Sequence, residues 1–438
     1  MNNYVLVTLA IVSIILTGSA FLFLYRKELE NLFGFLSLSF GIGAGIVGYY
    51  LYFLYLFKIR VDITYLMPLL PIWVLGLYNC VKYFKLNKLK EMAYPILLII
   101  FFLIIATMTI YKEPLSSWDA RAIYGLQAKE IYYHGIYSFF DPSRVFFHAS
   151  YPKLLPLLES YIFIWLGRVD DVIVHALFVG FYFSILLAGI DVSINKKLPI
   201  FVTLMLLFSL GVPPLITETA LRGDADIIIG FFELLIVVQL DRFLDYQKWL
   251  NLSLAIVLSV FLIFTKNEGL ALFIINSVLI LILSFVKVKQ KILTQIISYI
   301  ILPAIFSLPW FLFVAYIPNA LSEHVSNRIT FENILTHLKR IPIIFTYILK
   351  YVFISGTKEY GLLWYIFTLT IALNYKKIVL SLPLLTILIY FSVIFLIYII
   401  TPWPTITILD ITFSRLILQI YPLTLLFIAN TLKDNRIF

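Results

Sequence analysis

The chain has 438 residues, of which 62% are hydrophobic and only 13% charged, with a formal net charge of +9. A water-soluble domain carries roughly 25% charged residues and under half apolar ones, so the excess apolar surface here must face lipid. The positive charge reads as the Lys and Arg that collect in cytoplasmic loops rather than as affinity for nucleic acid, and the one cysteine, Cys80, excludes an intrachain disulfide and a cysteine-rich metal site.

A helix needs about 20 apolar residues to cross the hydrocarbon core. In chain order the candidate spans are residues 4–25, 32–57, 65–84, 92–111, 172–189, 198–213, 225–240, 250–264, 270–286, 293–316, 361–374, 378–400 and 414–432. The expected fold is therefore an all-α polytopic membrane protein with about 13 transmembrane helices. The first apolar stretch, 5–25, has no basic leader and no small-residue cleavage site, so it reads as a retained span.

Basic clusters set the expected orientation. Lys82, Lys85, Lys88 and Lys90 form one; Lys196 and Lys197, then Lys287, Lys289 and Lys291, then Lys376 and Lys377, then Lys433 and Arg436 form the others. The positive-inside rule assigns all of them to the cytoplasm. Chain segments between clusters must then cross an even number of times. Two short apolar stretches, 154–166 and 341–355, would break that parity; they read as interfacial or re-entrant helices on the outer face, with short tilted spans as the alternative. With this topology the outer face carries the polar segments 112–152, 217–226, 265–269 and 401–415, and a longer loop, 318–340. No soluble domain is long enough to fold alone, and no internal repeat is present.

The outer segments hold the candidate chemistry. In 112–152, Pro114 is followed by Ser116 and, three residues later, Asp119, a capping-box pattern that opens a helix. A carboxylate at the mouth of a membrane cavity is also a functional candidate, with Trp118 beside it. At helical spacing Gln127, Glu130 and His134 fall on one side of the following helix, and Ile123, Tyr124 and Ile131 on another. His148, Tyr151 and Lys153 introduce the short apolar stretch and are open to substrate contact. Arg222 can pair with Asp224 or Asp226, whose Asp-Ala-Asp spacing also resembles a metal-binding pattern. Lys266 and Glu268 sit between two apolar spans, either as a snorkelling turn or as ligands. Arg415 lies at the outer edge of the last span, placed either to anchor it or to bind phosphate. There is no Walker loop, Gly-rich dinucleotide turn or His-Glu-x-x-His motif, so nucleotide-driven work is not expected.

Taken in order, Trp118-Asp119 with the downstream Ala-Lys-Glu, His148-x-x-Tyr-Pro-Lys-Leu-Leu-Pro, Gly223-Asp-Ala-Asp, Thr265-Lys-Asn-Glu-Gly and Arg415-Leu-Ile-Leu-Gln resemble the GT-C superfamily of multi-pass glycosyltransferases. Relatives in that superfamily include protein mannosyltransferases and the lipid A aminoarabinose transferase. The resemblance covers the chain from about Leu115 onward, which divides it into a three-helix N-terminal extension, 1–91, and a GT-C-like catalytic module, 92–438, with its outer loop at 112–152.

The resemblance implies an inverting transferase on the outer face of the cell membrane. It would move a sugar from a polyprenyl-phosphate donor to a hydroxyl of a glycan, lipid or protein acceptor. Asp119 would be the catalytic base. Trp118, His148, Tyr151, Lys153, Arg222, Asp224, Asp226, Lys266, Glu268 and Arg415 would contact substrate, with Arg222, Lys266 and Arg415 as candidates to stabilise the leaving phosphate. Ala120 stands where the family often has a second acidic residue. No cofactor is expected; a divalent metal stays open as a possibility, with Ala120 in place of the paired carboxylate counting against it. The alternative is a transporter or flippase for a lipid-linked sugar. That would need polar residues near mid-span and broken helices, whereas the sequence gathers its polar residues on one face.

Overall fold

The computed structural model describes residues 2–25, 31–86, 96–97, 100, 114–144, 146–211, 222–287, 293–318, 329–378 and 380–434. Every regular element among them is helical. Among the described residues seven helices are long and apolar enough to cross a bilayer: Asn3–Tyr25, Leu32–Leu56, Ile63–Tyr83, His175–Asn195, Asn267–Val286, Leu293–Ala315 and Leu382–Ile400. An eighth arises if Thr405–Leu418 and Tyr421–Thr431, bent by 49°, make one span. The chain is a multi-pass α-helical membrane protein.

Among the described residues this is fewer than the 13 spans expected from apolar runs. The expected span 92–111 lies outside the described residues apart from 96, 97 and 100. Ile200–Gly211, Trp249–Ile263 and Leu363–Ile378 have 12, 15 and 16 residues, below a full crossing. Asp226–Tyr246 has the length, at 21 residues, but carries Asp226, Glu233, Asp241, Arg242 and Asp245. Packing, not length alone, sustains these helices.

The described helices of the 1–91 segment pack against one another and against the rest of the bundle. Helices Asn3–Leu22 and Leu32–Leu56 approach until backbones touch: a Cβ on Gly43 would lie 1.8 Å from Ile14 O, and one on Gly18 1.9 Å from Ser39 O. Small residues permit such contact in lipid, where close packing replaces the hydrophobic drive. The second helix then joins the remainder. Ser37 Oγ donates to Ser184 O, Phe40 meets Phe181 and Phe231, and Tyr52 OH donates to Pro309 O.

One end of the bundle is tied by the loop around Lys196. Asn31 accepts from Gly34 N as an N-cap and donates through Nδ2 to Asp191 Oδ1 at 2.6 Å, while Arg242 donates to Asp191 Oδ2 at 2.7 Å. Lys196 pairs with Asp241 at 3.2 Å. The helix Asp226–Tyr246 rises about 1.5 Å per residue, so its N-terminal Asp226 lies about 30 Å from this end, which is a bilayer's hydrocarbon thickness. The candidate residues gather at that opposite end.

The two short apolar stretches differ. Leu154–Leu166 is buried at every position from 154 to 164, so the interfacial reading, which leaves one face open, does not hold for it. Its start is fixed by Leu154 N donating to Phe264 O. Just after it, Asp171 O accepts from Leu115 N, and Leu115 abuts Gly223 beside the candidate site. Both ends of the segment thus return to the same end of the bundle. The helix Ile341–Lys350, with its π-helical continuation Tyr351–Ser355, buries only Ile344 and Val352 and exposes Ile343, Phe345, Leu349 and Ile354. That one-sided pattern suits an interfacial helix.

Candidate active site

Four segments distant in sequence meet at the end of the bundle opposite Lys196. The first begins at Ser117, whose hydroxyl accepts from Ala120 N at 3.0 Å and donates to Asp224 Oδ1 at 2.5 Å. Ser117, not Ser116, therefore caps the helix, and Asp119 caps nothing. The Asp119 side chain turns to Arg415 instead, accepting from Nη2 at 2.6 Å.

The second segment is the turn 222–226. Gly223 has φ +94°, and a Cβ there would sit 2.6 Å from Leu115 Cδ2 and 2.7 Å from Ala120 Cβ. Only glycine allows this left-handed, close approach. It brings Asp224 and Asp226 under the first segment, and it explains Ala120: a larger acidic side chain there would displace the turn. Carboxylates next to Asp119 come from this turn instead.

Arg415 is the hub. It donates to Asp226 Oδ2 from Nε at 3.1 Å and Nη2 at 2.8 Å, and its Nε lies 3.9 Å from Asp224 Oδ2. Lys266, from the third segment, donates to Asp226 Oδ1 at 3.1 Å and pairs with Glu268 at 3.0 Å. Gln419, one helical turn beyond Arg415, donates to Asp226 Oδ1 at 2.5 Å and accepts from Tyr390 OH. Pro422, which lacks an N–H, follows the bend at Gln419 and breaks the helix there. Asp226 and Lys266 are almost wholly buried, while Asp119 and Glu268 keep side-chain exposures of 16% and 22% and form the open edge.

Four carboxylates thus face two cations. Burial disfavours the Lys266 ammonium, but Asp226 and Glu268 outweigh it and hold it well above the ordinary lysine range. Burial pushes the Asp224 carboxyl up, against the opposing pull of Arg415. Among the described residues no three His, Cys, Asp or Glu side chains could share a metal ion; Asp119, Asp224 and Asp226 converge on the Arg415 guanidinium.

The remaining candidates are peripheral or elsewhere. Trp118 is 55% exposed and makes an edge contact with Phe147. His148 stacks on Tyr151 at 4.5 Å, and Tyr151 lies within electrostatic reach of Glu268, Lys266, Asp119 and Arg415. Arg222 is exposed and pairs with neither Asp224 nor Asp226, which Arg415 has taken. Lys153 is outside the cluster: fully buried, it donates to Gln127 Oε1 at 2.7 Å and Ala149 O at 2.8 Å, between the rings of Phe139 and Trp310. Sequence reading missed Ser117, Gln419 and Tyr390 as partners. Gln419 was signalled, since it sits four residues after Arg415 and so on the same helix face.

No protein-family model, curated protein or solved structure matches the chain. What fold and site define is a multi-pass helical membrane protein with a buried ion-pair cluster at one end of its bundle.

Proposed function

We propose that this chain is an inverting glycosyltransferase of the GT-C type, moving a sugar from a polyprenyl-phosphate donor to an acceptor hydroxyl at the extracytoplasmic face of the cell membrane. The observation that carries this reading is the convergence of Asp119, Asp224, Asp226, Lys266 and Arg415 in one partly open cluster, a helix length from the Lys196 loop. With basic loops cytoplasmic, the cluster is extracytoplasmic.

Asp119 Oδ2 is committed to Arg415, while its Oδ1 accepts from no described residue. In the proposed step Oδ1 takes the proton of the acceptor hydroxyl, whose oxygen attacks the anomeric carbon. The bond from that carbon to the phosphate oxygen breaks, and its electron pair leaves with the polyprenyl phosphate. Arg415 and Lys266 already have their charge met by carboxylates, so they are better read as holding the acids in place. Arg222, exposed beside Gly223 and without a carboxylate partner among the described residues, is the cation left for the leaving phosphate. An apolar cavity of about 590 Å³, lined by Leu56, Tyr137, Phe140, Pro309, Leu312, Phe313 and Tyr316, is consistent with a lipid-linked donor. Its wall runs from Phe313 through Trp310 to Phe264, two residues before Lys266.

The test is release of polyprenyl phosphate from polyprenyl-phosphate hexoses by the purified protein in nanodiscs, with cell-envelope lipids and glycans supplied as acceptor hydroxyls. Asp119→Asn should abolish release while the protein stays folded; undiminished release by that variant would sink the assignment.

One observation favours transport as the second reading. Glu233 is fully buried two turns inside from Asp226, where Asn276 Nδ2 donates to it at 3.0 Å and Thr386 Oγ1 donates to Asn276 Oδ1 at 3.2 Å. Polar groups at such depth often mark a pathway. Under the transferase reading Glu233→Gln leaves release unchanged; under transport it blocks movement of the lipid-linked sugar between vesicle leaflets.

A further inference from the structure

Tyr124 belongs by helical periodicity to an apolar face with Ile123 and Ile131, and nothing in its sequence context marks it. The backbone changes that. Ala120–Gly125 is a π-helical segment, a form concentrated at functional sites. On an α-helix residues five apart point about 140° away from each other. The i→i+5 pattern of a π turn brings them towards one face, and Asp119 and Tyr124 are five apart.

The Tyr124 side chain is wholly buried, yet its hydroxyl has no hydrogen-bond partner among the described residues. It lies within electrostatic reach of Lys266, Tyr151, Asp226 and Glu268. A buried donor left unpaired costs about 1–3 kcal/mol, so a position that carries one invites explanation by a ligand.

We propose that Tyr124 is a substrate-binding residue of this site, its hydroxyl hydrogen-bonding a hydroxyl of the sugar. This rests on the transferase reading above. A sugar hydroxyl fits better than a phosphate oxygen because the surroundings are already anionic. Lys266 is met by Asp226 and Glu268, and Arg415 by three aspartates, which leaves four carboxylates against two cations. Carboxylates accept from hydroxyls and repel phosphate, whereas a phenol both donates and accepts.

The experiment compares the full-length protein with Tyr124→Phe in nanodiscs, measuring thermal midpoint and affinity for two sets of probes. One set is polyprenyl phosphates carrying different hexoses or pentoses; the other is the same polyprenyl phosphate without sugar. The variant should keep or raise the thermal midpoint, because an unpaired hydroxyl is removed. Its affinity for the sugar-bearing lipid that binds the parent should fall about tenfold, the worth of one good hydrogen bond, with affinity for the bare lipid phosphate unchanged. Unchanged affinity for both probes overturns the inference, as does equal loss for both, or a fall in thermal midpoint. A parent protein that binds no sugar-bearing lipid removes the transferase reading and this inference with it; a parent that binds, with a variant that binds equally, removes the inference alone.

Discussion

Arg415 Nη2 lies 2.6 Å from Asp119 Oδ2, although 296 positions separate the two residues in the chain. The same guanidinium reaches Asp226, which has no exposed side-chain surface. The contact joins the first large loop to the last helix pair, and the cluster's stability and its chemistry are expected to separate along it.

Asp226 should be the structural acid and Asp119 the chemical one. Removing one partner from a buried pair leaves the others uncompensated, at a cost of about 3–5 kcal/mol. Asp226→Ala should therefore lower stability by that order, measured by thermal or denaturant unfolding in bicelles. Asp119→Asn, at the open edge and nearly isosteric, should change stability by under about 1 kcal/mol while abolishing polyprenyl-phosphate release. The reverse pattern would exchange the two roles.

Lys153 gives a pH signature. Burial pushes its ammonium well below the ordinary lysine value of 10.5. Between the lowered folded value and 10.5 the unfolded chain binds a proton that the folded chain does not. Stability from this group therefore rises with pH through that window and levels off above 10.5. The slope is at most about 1.4 kcal/mol per pH unit. Thermal midpoints followed from neutral to alkaline pH should rise in the parent relative to Lys153→Met, whose curve lacks this component. Parallel curves would mean that Lys153 is charged in the folded state.

Glu159 is fully buried in the Leu154–Leu166 helix, and neither carboxylate oxygen has a hydrogen-bond partner among the described residues. Glu159→Met keeps the shape and removes the unmet group, which should stabilise by about 1–3 kcal/mol. A loss of stability in the unfolding assay would show that the carboxylate has a partner in the membrane.

Gly43 tests whether the first helices are integral to the bundle. A side chain there meets the Ile14 backbone carbonyl, which cannot rotate away. Gly43→Val should cost about 3 kcal/mol or more and lower polyprenyl-phosphate release through loss of folded protein. Full stability in the variant would mean that these helices separate freely.

Composition alone determined where this protein lives, because no aqueous fold can hide a chain that is 62% hydrophobic. The residue types in the polar segments were also legible: Asp119, Asp224, Asp226, Lys266, Glu268 and Arg415 stand out where apolar runs stop. Partner choice was not. Local spacing paired Arg222 with its neighbours and read Asp119 as a possible cap, whereas the fold gives Arg415 to all three aspartates and the cap to Ser117. Span number was less legible, because an apolar run records burial in lipid and burial in protein alike: Trp249–Ile263, which overlaps an expected span, has 15 residues and buries all but three of them in the protein. Tyr124 was hidden for a related reason: periodicity assumes an α-helical turn, and only the tertiary structure shows the π turn at Ala120–Gly125 and brings Tyr124 within electrostatic reach of Lys266, Asp226 and Glu268.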